Sequence, residues 1–142
     1  MTDAYRVELR TVGGGPTALG SAGGHTLVVD RPASAGGGGL GFNGGQLLYF
    51  AIAGCVSNDL YREAAAAGIA VTEVAVEVDG DFPAPGAPST PIEVVVDLAG
   101  DAPEADLRGL LDRVIELAEI PRSLQGATPV SVAARHVTGN SS

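Results

Sequence analysis

The stretch "GGQLLYFAIAGCVSNDLY", residues 44–61, decides the fold. Its apolar residues surround a helix instead of forming one stripe, a pattern that is typical of a helix buried on every side. At its start, Asn43 and Gln46 have the spacing of a capping box, in which each side chain bonds the other residue's backbone N–H. Gly68 fits the residue that ends a helix. The sequence therefore predicts a long central helix over residues 44–67.

Alternating apolar and polar residues predict strands on both sides of this helix. The predicted elements are N-terminal strands within 5–30, a glycine-rich loop over 31–43, strands at 71–81 and 90–100, a second helix at 102–119 and a final strand at 130–137. The second helix carries one apolar stripe, and Asp101, Pro103 and Glu104 fit a capped helix start. Residues 138–142 are expected to fray. This order favours one α+β domain over residues 1–142, with mainly antiparallel pairing.

Because apolar residues surround the central helix, the sequence also predicts that the chain forms an oligomer. A small sheet covers one side of such a helix, so the other side needs a second layer. Another copy of the chain is the simplest source of that layer, and we expect a homodimer with this helix at or near its centre.

Charge and hydropathy exclude several classes of protein. The chain has 8 basic residues, all arginine, against 17 acidic ones, a formal net charge of −9 that repels phosphate backbones and disfavours nucleic-acid binding. Its longest apolar run, residues 47–56, is shorter than the roughly 18 residues of a membrane-spanning helix. The start "MTDAYRVELR" lacks the layout of a signal peptide. We therefore expect a cytoplasmic protein with no membrane partner.

Metal and cofactor motifs are weak. His25, His136 and the single cysteine are scattered along the sequence, which predicts no metal site. A literal GxGxxG over residues 39–44 precedes the central helix, but it lies too far from the preceding strand to match a dinucleotide-binding loop. No cofactor is expected, and packing or surface roles are expected for both histidines.

Cys55, the only cysteine, has two interpretations. An unpaired cysteine usually behaves as a small buried hydrophobe, whereas a reactive one needs a cation, a donor or a helix N-terminus to stabilise its thiolate. One turn on, the carboxylate of Asp59 would raise the pKa of the thiol. Arg62, about 10 Å along the helix axis, is better placed to pair with Asp59 or Glu63. Local sequence therefore favours an inert cysteine, unless Arg31 or another arginine reaches it from elsewhere.

Two segments resemble the OsmC/Ohr family. "FNGGQLLYFAIAGC" is similar to the family's Asn-Pro-Glu-Gln/Glu-Leu entry into an Ala/Gly-Ala-Cys helix, and "DRPASAGGGGLG" to its Asp-x-Pro and glycine-rich lead-in. The order of elements agrees over nearly the whole chain. The resemblance implies an intertwined homodimer of α+β subunits with two interface sites that reduce organic hydroperoxides. In such a site a helix cysteine becomes a sulfenic acid, a second cysteine closes a disulfide, and an external dithiol reduces it.

The resemblance places Cys55 at the attacking position, but other family residues are replaced. Ile120 stands where the second cysteine is expected, and Gly45, with Gln46 retained beside it, stands at the position of a glutamate that orients an arginine. The strand "HTLVVD" contains no arginine, so Arg31 just beyond it is the candidate for the cation that holds the thiolate.

Two functions from different classes follow. The first is a one-cysteine, thiol-dependent organic hydroperoxide reductase in oxidative-stress defence, with Cys55 as nucleophile and Gln46 as polar partner. Its cation would be Arg31, or Arg6 or Arg10 across the dimer, and its reductant an external thiol. The second is a scaffold that has lost catalysis and binds a small apolar ligand at the dimer interface, with Cys55 as part of the lining.

Overall fold

The computed structural model describes residues 5–140 of the chain. The chain forms two compact units that divide between Leu48 and Tyr49, and the single domain over residues 1–142 stays a prediction. The elements are β1 (Glu8–Thr11), β2 (Ala18–Ala22), β3 (His25–Val29), a 3-10 turn (Ala33–Ala35), α1 (Gly44–Ala67), β4 (Ala70–Asp79), β5 (Ile92–Pro103), α2 (Glu104–Leu117), α3 (Glu119–Leu124) and β6 (Val130–Asn140).

The first unit contains the antiparallel sheet β1-β2-β3. Gly23 and Gly24 join β2 to β3 in a two-residue hairpin turn. Both have a positive φ, a backbone conformation that residues with a Cβ rarely adopt. The sequence predicted the N-terminal strands within residues 5–30, and the first of them begins at Glu8. Leu9 of β1 is 56% exposed in the single chain because no second layer of its own unit covers it.

The glycine-rich loop is organised by the buried carboxylate of Asp30, which is 2% exposed. Its two oxygens accept hydrogen bonds from Thr17 Oγ1 at 2.9 Å and from the backbone N–H groups of Arg31 at 2.7 Å, Gly38 at 3.2 Å and Leu40 at 3.2 Å. Burial alone would raise the pKa of Asp30, but these four bonds, Thr17 first, hold it below its ordinary value. The ionised carboxylate therefore fixes the path of the loop.

Helix α1 has the predicted range and the predicted caps. Asn43 Oδ1 accepts the N–H of Gln46 at 2.9 Å, and Gln46 Oε1 accepts the N–H of Asn43 at 3.0 Å, so the capping box is confirmed. Gly68, at φ +70°, ends the helix in the left-handed conformation that glycine adopts without strain. Among residues 5–140, no helix combines the length and apolar content needed to cross a membrane.

One face of α1 is buried in the single chain. Ile52, Val56 and Leu60 recur every four residues and are fully buried, whereas Ala51 and Tyr61, on another face, are exposed. The second unit thus supplies apolar partners along one stripe, which agrees with the expectation that the sheet covers one side of the helix, and burial of the other side stays a prediction. The homodimer stays a prediction.

The second unit contains the sheet β4-β5-β6, with β5 antiparallel to β4 and parallel to β6. The central strand β5 alternates as predicted and buries one set of residues: Ile92, Val94, Val96 and Leu98. Those side chains form the core with the buried stripe of α1 and with Leu107, Leu111 and Val114 of α2. The predicted α+β class with mainly antiparallel pairing is confirmed.

The second helix differs from its predicted range and start. Asp101, expected to cap it, instead lies in β5 opposite Ala70, and its Oδ1 accepts a hydrogen bond from Asn140 Nδ2 at 2.7 Å. Pairing with the neighbouring strands carries β5 to Pro103, which precedes α2 and has no side-chain oxygen to act as a cap. The same pairing extends β6 to Asn140, where fraying was expected; residues 141–142 lie outside the described residues.

The predicted helix 102–119 is shorter in the structure, Glu104–Leu117, and a separate short helix follows it. Ala118 is extended, at φ −60° and ψ 115°, and separates α2 from α3. The break redirects the chain so that Glu119 becomes the first residue of a new helix.

We expect Asp30→Asn to loosen the glycine-rich loop, because an amide has one acceptor oxygen where the carboxylate has two. At neutral pH its Tm should fall by on the order of 5 °C, and the amides of Gly38 and Leu40 should exchange faster. Since the pKa of Asp30 in the folded protein lies below its ordinary value of 3.8, the stabilisation is fully present above pH 3.8 and is lost as the pH falls through the folded pKa. Wild-type and variant Tm values should therefore converge in acid.

The matched control is Asp112→Asn, at an exposed position of α2. It should leave Tm and the loop amides unchanged. A loop in Asp30→Asn that stays as protected as the wild type at neutral pH would contradict the role given to this carboxylate.

Candidate functional site

Cys55 lies half-buried on α1 beside two carboxylates. Its Sγ is 3.7 Å from Oδ2 of Asp59, one turn further along the helix, and 3.6 Å from Oε2 of Glu119, at the start of α3. Both distances suit weak hydrogen bonds donated by a thiol. The sulfur atom is therefore in a polar cluster, which we define as Cys55, Asp59, Arg62 and Glu119.

Arg62 is the cation of this cluster. Its guanidinium lies 3.2 Å from the Asp59 carboxylate and 3.3 Å from Oε1 of Glu119, and its Nε lies 3.1 Å from Glu63. Glu63 in turn pairs with Arg113 of α2 at 2.7 Å. The predicted pairing of Arg62 with Asp59 or Glu63 is confirmed, and the cation faces carboxylates on both α1 and α3.

The surroundings of the thiol favour its protonated form. Burial raises the pKa of Cys55 above its ordinary value, and the Asp59 charge and the hydrogen bond to Glu119 raise it further. The backbone N–H groups of Ile120 and Glu119 oppose this shift without reversing it. Cys55 is therefore a thiol at neutral pH, as predicted from the position of Asp59.

The two carboxyl groups of the cluster are shifted in opposite directions. Burial and a hydrogen bond with Glu119 raise the pKa of Asp59 against the nearby Arg62 charge. The pKa of Glu119 is lowered, first by its own backbone N–H and then by the hydrogen bond with Asp59. Of the two, Asp59 therefore binds a proton more readily than Glu119.

The other residues predicted for the site lie in the first unit. Arg31 is exposed, and its Nε donates to the carbonyl of Ala35 at 3.0 Å within the glycine-rich loop. Gln46 caps α1, nine residues before Cys55. Arg6 forms an exposed ion pair with Glu8 at 2.6 Å. Their roles in catalysis stay predictions.

Arg10 and Gly45 also lie in the first unit. Arg10 lies on β1, opposite Leu19 of β2, and Gly45 lies in the first turn of α1. The role of Arg10 as a cation across the dimer also stays a prediction.

Sequence reasoning missed Glu119, which lies 64 residues from Cys55. No local pattern joins the two positions. A signal nevertheless existed, because Glu119 directly precedes Ile120, and the resemblance placed the second cysteine, which must reach Cys55, at Ile120. In the structure the backbone of Ile120 does contact Cys55.

The donor atoms of Cys55, Asp59 and Glu119 lie within 4.8 Å of one another, a grouping that the scattered histidines and cysteine did not predict. Both carboxylates already pair with Arg62, and the thiol retains its proton. Because Arg62 already pairs with both carboxyl groups, we assign no metal to this cluster.

Comparison with known proteins identifies the family. The sequence model for OsmC-like proteins matches residues 36–133, more than half of the chain. The chain belongs to the OsmC-like family. The resemblance found in the sequence is thereby confirmed, and Cys55 and Ile120 both fall within the matched region. A search of curated protein sequences gave no match for this OsmC-like chain.

Solved structures show the same fold. An OsmC-like protein from Mycoplasma pneumoniae is 19% identical, with a TM-score of 0.75, 96% of this chain covered and 100% of that one. An organic hydroperoxide resistance protein OsmC from Legionella pneumophila is 17% identical, with a TM-score of 0.65 and coverage of 92% and 96%. An organic hydroperoxide resistance protein from Elizabethkingia anophelis is 17% identical, with a TM-score of 0.67 and coverage of 96% of this chain and 99% of that one. At these identities the likeness establishes the fold of the OsmC-like chain.

Proposed function

We propose that this OsmC-like chain is a one-cysteine, thiol-dependent organic hydroperoxide reductase in oxidative-stress defence, with Cys55 as nucleophile. The observation that supports the proposal best is the position of Cys55 Sγ, half-buried between the ionisable groups of Asp59 and Glu119. An inert core cysteine would be enclosed by aliphatic side chains. This sulfur atom instead has partners that can exchange a proton with it, and the family includes proteins named for hydroperoxide resistance.

The chemistry uses one protein thiol and two external ones. Sγ attacks the terminal peroxide oxygen, so that an S–O bond forms, the O–O bond breaks and the alcohol departs. Cys55 is then a sulfenic acid, oxidised by two electrons. Since Ile120 replaces the second cysteine and the chain has one cysteine in all, an external thiol must attack the sulfenic sulfur and release water. A second external thiol then breaks the mixed disulfide and restores Cys55.

Arg31 and Gln46 remain in the proposal as the cation and the polar partner of the site. The Arg31 guanidinium is exposed and has five N–H donors, of which the bond to Ala35 uses Nε. The Gln46 side chain has an NH₂ group in addition to the oxygen that caps α1. In this proposal Arg31 stabilises the negative charge that develops on the departing oxygen, and Gln46 donates a hydrogen bond to the bound peroxide.

We expect Cys55→Ser to reduce consumption of cumene hydroperoxide, in the presence of excess dithiothreitol, to the rate without protein, because a hydroxyl at neutral pH is a far weaker nucleophile than sulfur. Mass spectrometry after dimedone treatment should detect a sulfenic-acid adduct in the wild type alone. As a control, Cys55→Ser with Ser57→Cys moves the thiol about 200° around the helix and should not restore activity. A Cys55→Ser protein that consumes peroxide as the wild type does would exclude the proposal.

A second function is favoured by a cavity in the first unit. This cavity, of about 330 Å³, has a mainly apolar lining that includes Val7, Leu9, Leu27, Val29 and Leu47. Its size and chemistry suit a small apolar ligand, as in a scaffold without catalysis. Cys55, which that hypothesis placed in the lining of an interface site, does not line this cavity. Peroxide consumption independent of Cys55 would favour this alternative, and native mass spectrometry would then show added mass on freshly purified protein. A bare protein that also fails to bind fatty acids would exclude it.

We further propose that the exposed stripe of α1 is covered by a second copy of the chain in a homodimer. The stripe contains Ala51, Gly54 and Tyr61, which lie at helical spacing and are exposed in the single chain. The largest of these three residues, Tyr61, is 47% exposed. A helix this apolar needs a partner on its outer face, and a closed two-fold pair is the commonest arrangement of soluble oligomers.

We expect light scattering to give the wild type a mass of about twice 14.1 kDa and Ala51→Glu a mass near 14.1 kDa, because the variant buries an unpaired carboxylate in the interface. The matched control is Ala105→Glu, an exposed alanine of α2, which should keep the wild-type mass. A wild type that already has the single-chain mass at micromolar concentration would contradict the dimer.

A further inference from the structure

We propose that Glu119 is the catalytic proton acceptor and donor for Cys55, and that Arg62 is a positioning residue that fixes the Glu119 carboxylate. The inference rests on the proposed reductase function. It extends that function by assigning the proton transfers to a residue of α3 that no spacing in the sequence connects to Cys55.

The two oxygens of Glu119 have different partners. Oε2 lies 3.6 Å from Cys55 Sγ, whereas Oε1 lies 3.3 Å from the Arg62 guanidinium. The ion pair therefore fixes one oxygen and directs the other at the sulfur atom. A hydrogen bond between an ionised carboxylate and a donor is the arrangement from which proton transfer proceeds.

Asp59 also reaches the thiol, at 3.7 Å, but it is poorly placed to serve a substrate. Its side chain is 6% exposed, compared with 62% for Glu119. A peroxide arriving from solvent can meet the Glu119 carboxylate, and a proton held there can pass to the departing oxygen. Asp59 is instead the buried carboxyl group of the pair, and its ion pair with Arg62 at 3.2 Å is on α1 itself.

The protonated thiol creates the need for a base. Burial, the Asp59 charge and the hydrogen bond to Glu119 raise the pKa of Cys55, so few molecules carry the reactive thiolate at neutral pH. The charged groups that face Glu119 are Asp59 and Arg62 of α1, and Arg62 also pairs with Glu63. With the thiol proton on Glu119, the carboxyl group is neutral and the adjacent sulfur is a thiolate.

The complete step balances atoms and charge. Glu119 takes the thiol proton as Sγ attacks the terminal oxygen of ROOH; the S–O bond forms and the O–O bond breaks. The departing RO⁻ takes the proton from Glu119 and leaves as ROH. Cys55 becomes a sulfenic acid, the peroxide is reduced by two electrons, and Glu119 returns to its ionised state.

The test is Glu119→Gln, which keeps the shape of the side chain and removes the base, with two rates measured at neutral pH. Iodoacetamide needs the thiolate alone, so alkylation of Cys55 should become several-fold faster once the nearby carboxylate no longer raises the thiol pKa. Sulfenic-acid formation with cumene hydroperoxide also needs the returned proton and should become about 10²-fold slower. Opposite changes in the two rates support proton transfer by Glu119.

Other outcomes overturn the inference. If both rates rise together, Glu119 acts only through its charge; if the peroxide rate is unchanged, it takes no part. Glu119→Asp, which retains a carboxylate, should recover part of the peroxide rate. The control Glu116→Gln, at an exposed position of α2, should alter neither rate. A peroxide rate that Cys55→Ser leaves intact would instead refute the reductase function itself.

The positioning role of Arg62 has its own signature. Besides the Glu119 backbone N–H and Asp59, the Arg62 guanidinium at 3.3 Å contributes to lowering the pKa of Glu119, so Arg62→Gln should move the acidic limb of the peroxide rate–pH profile to higher pH. A purely structural role would change Tm and leave that limb in place, and an unmoved limb in a folded variant overturns the assignment.

Discussion

The burial of one stripe of α1 is the constraint on which the site depends. Ile52, Val56 and Leu60 are fully buried against the core of the second unit, and burying such side chains contributes roughly 1.5–3 kcal/mol each. Rotating the helix by one residue would expose them. Cys55 and Asp59 each directly precede a buried residue and are four positions apart, so the same constraint places both side chains together at the edge of the core.

The extended backbone at Ala118 supplies the other half of the cluster. Because α2 ends there and α3 begins at Glu119, a carboxylate from a distant part of the sequence meets the sulfur atom. The family resemblance implied a cysteine thiolate held by an arginine. The environment of Cys55 in this structure is different. Here the cation pairs with the carboxylates, and the carboxylates face the thiol. In the proposed mechanism, the reaction of Cys55 therefore depends on proton transfer from the thiol more than on a thiolate that is already present.

Much of the fold could be predicted because its signals are local. Asn43, Gln46 and Gly68 set the limits of α1, and the alternation in β5 identified its buried face. Asp101 misled because a capping-box spacing competes with strand pairing, and pairing with two neighbouring strands prevailed. The site was only partly predictable. Asp59 is one helical turn from Cys55, whereas Glu119 meets it only through tertiary packing.

The decisive quantity is the protonation state of the single thiol. Ultraviolet absorbance of the thiolate, measured against pH as the difference between the wild type and Cys55→Ser, reports it without any electrophile or peroxide. A thiol held between two carboxylates should titrate at a pH above the ordinary value of 9.0. A midpoint below neutral pH would show that a cation, and not Asp59 and Glu119, governs Cys55.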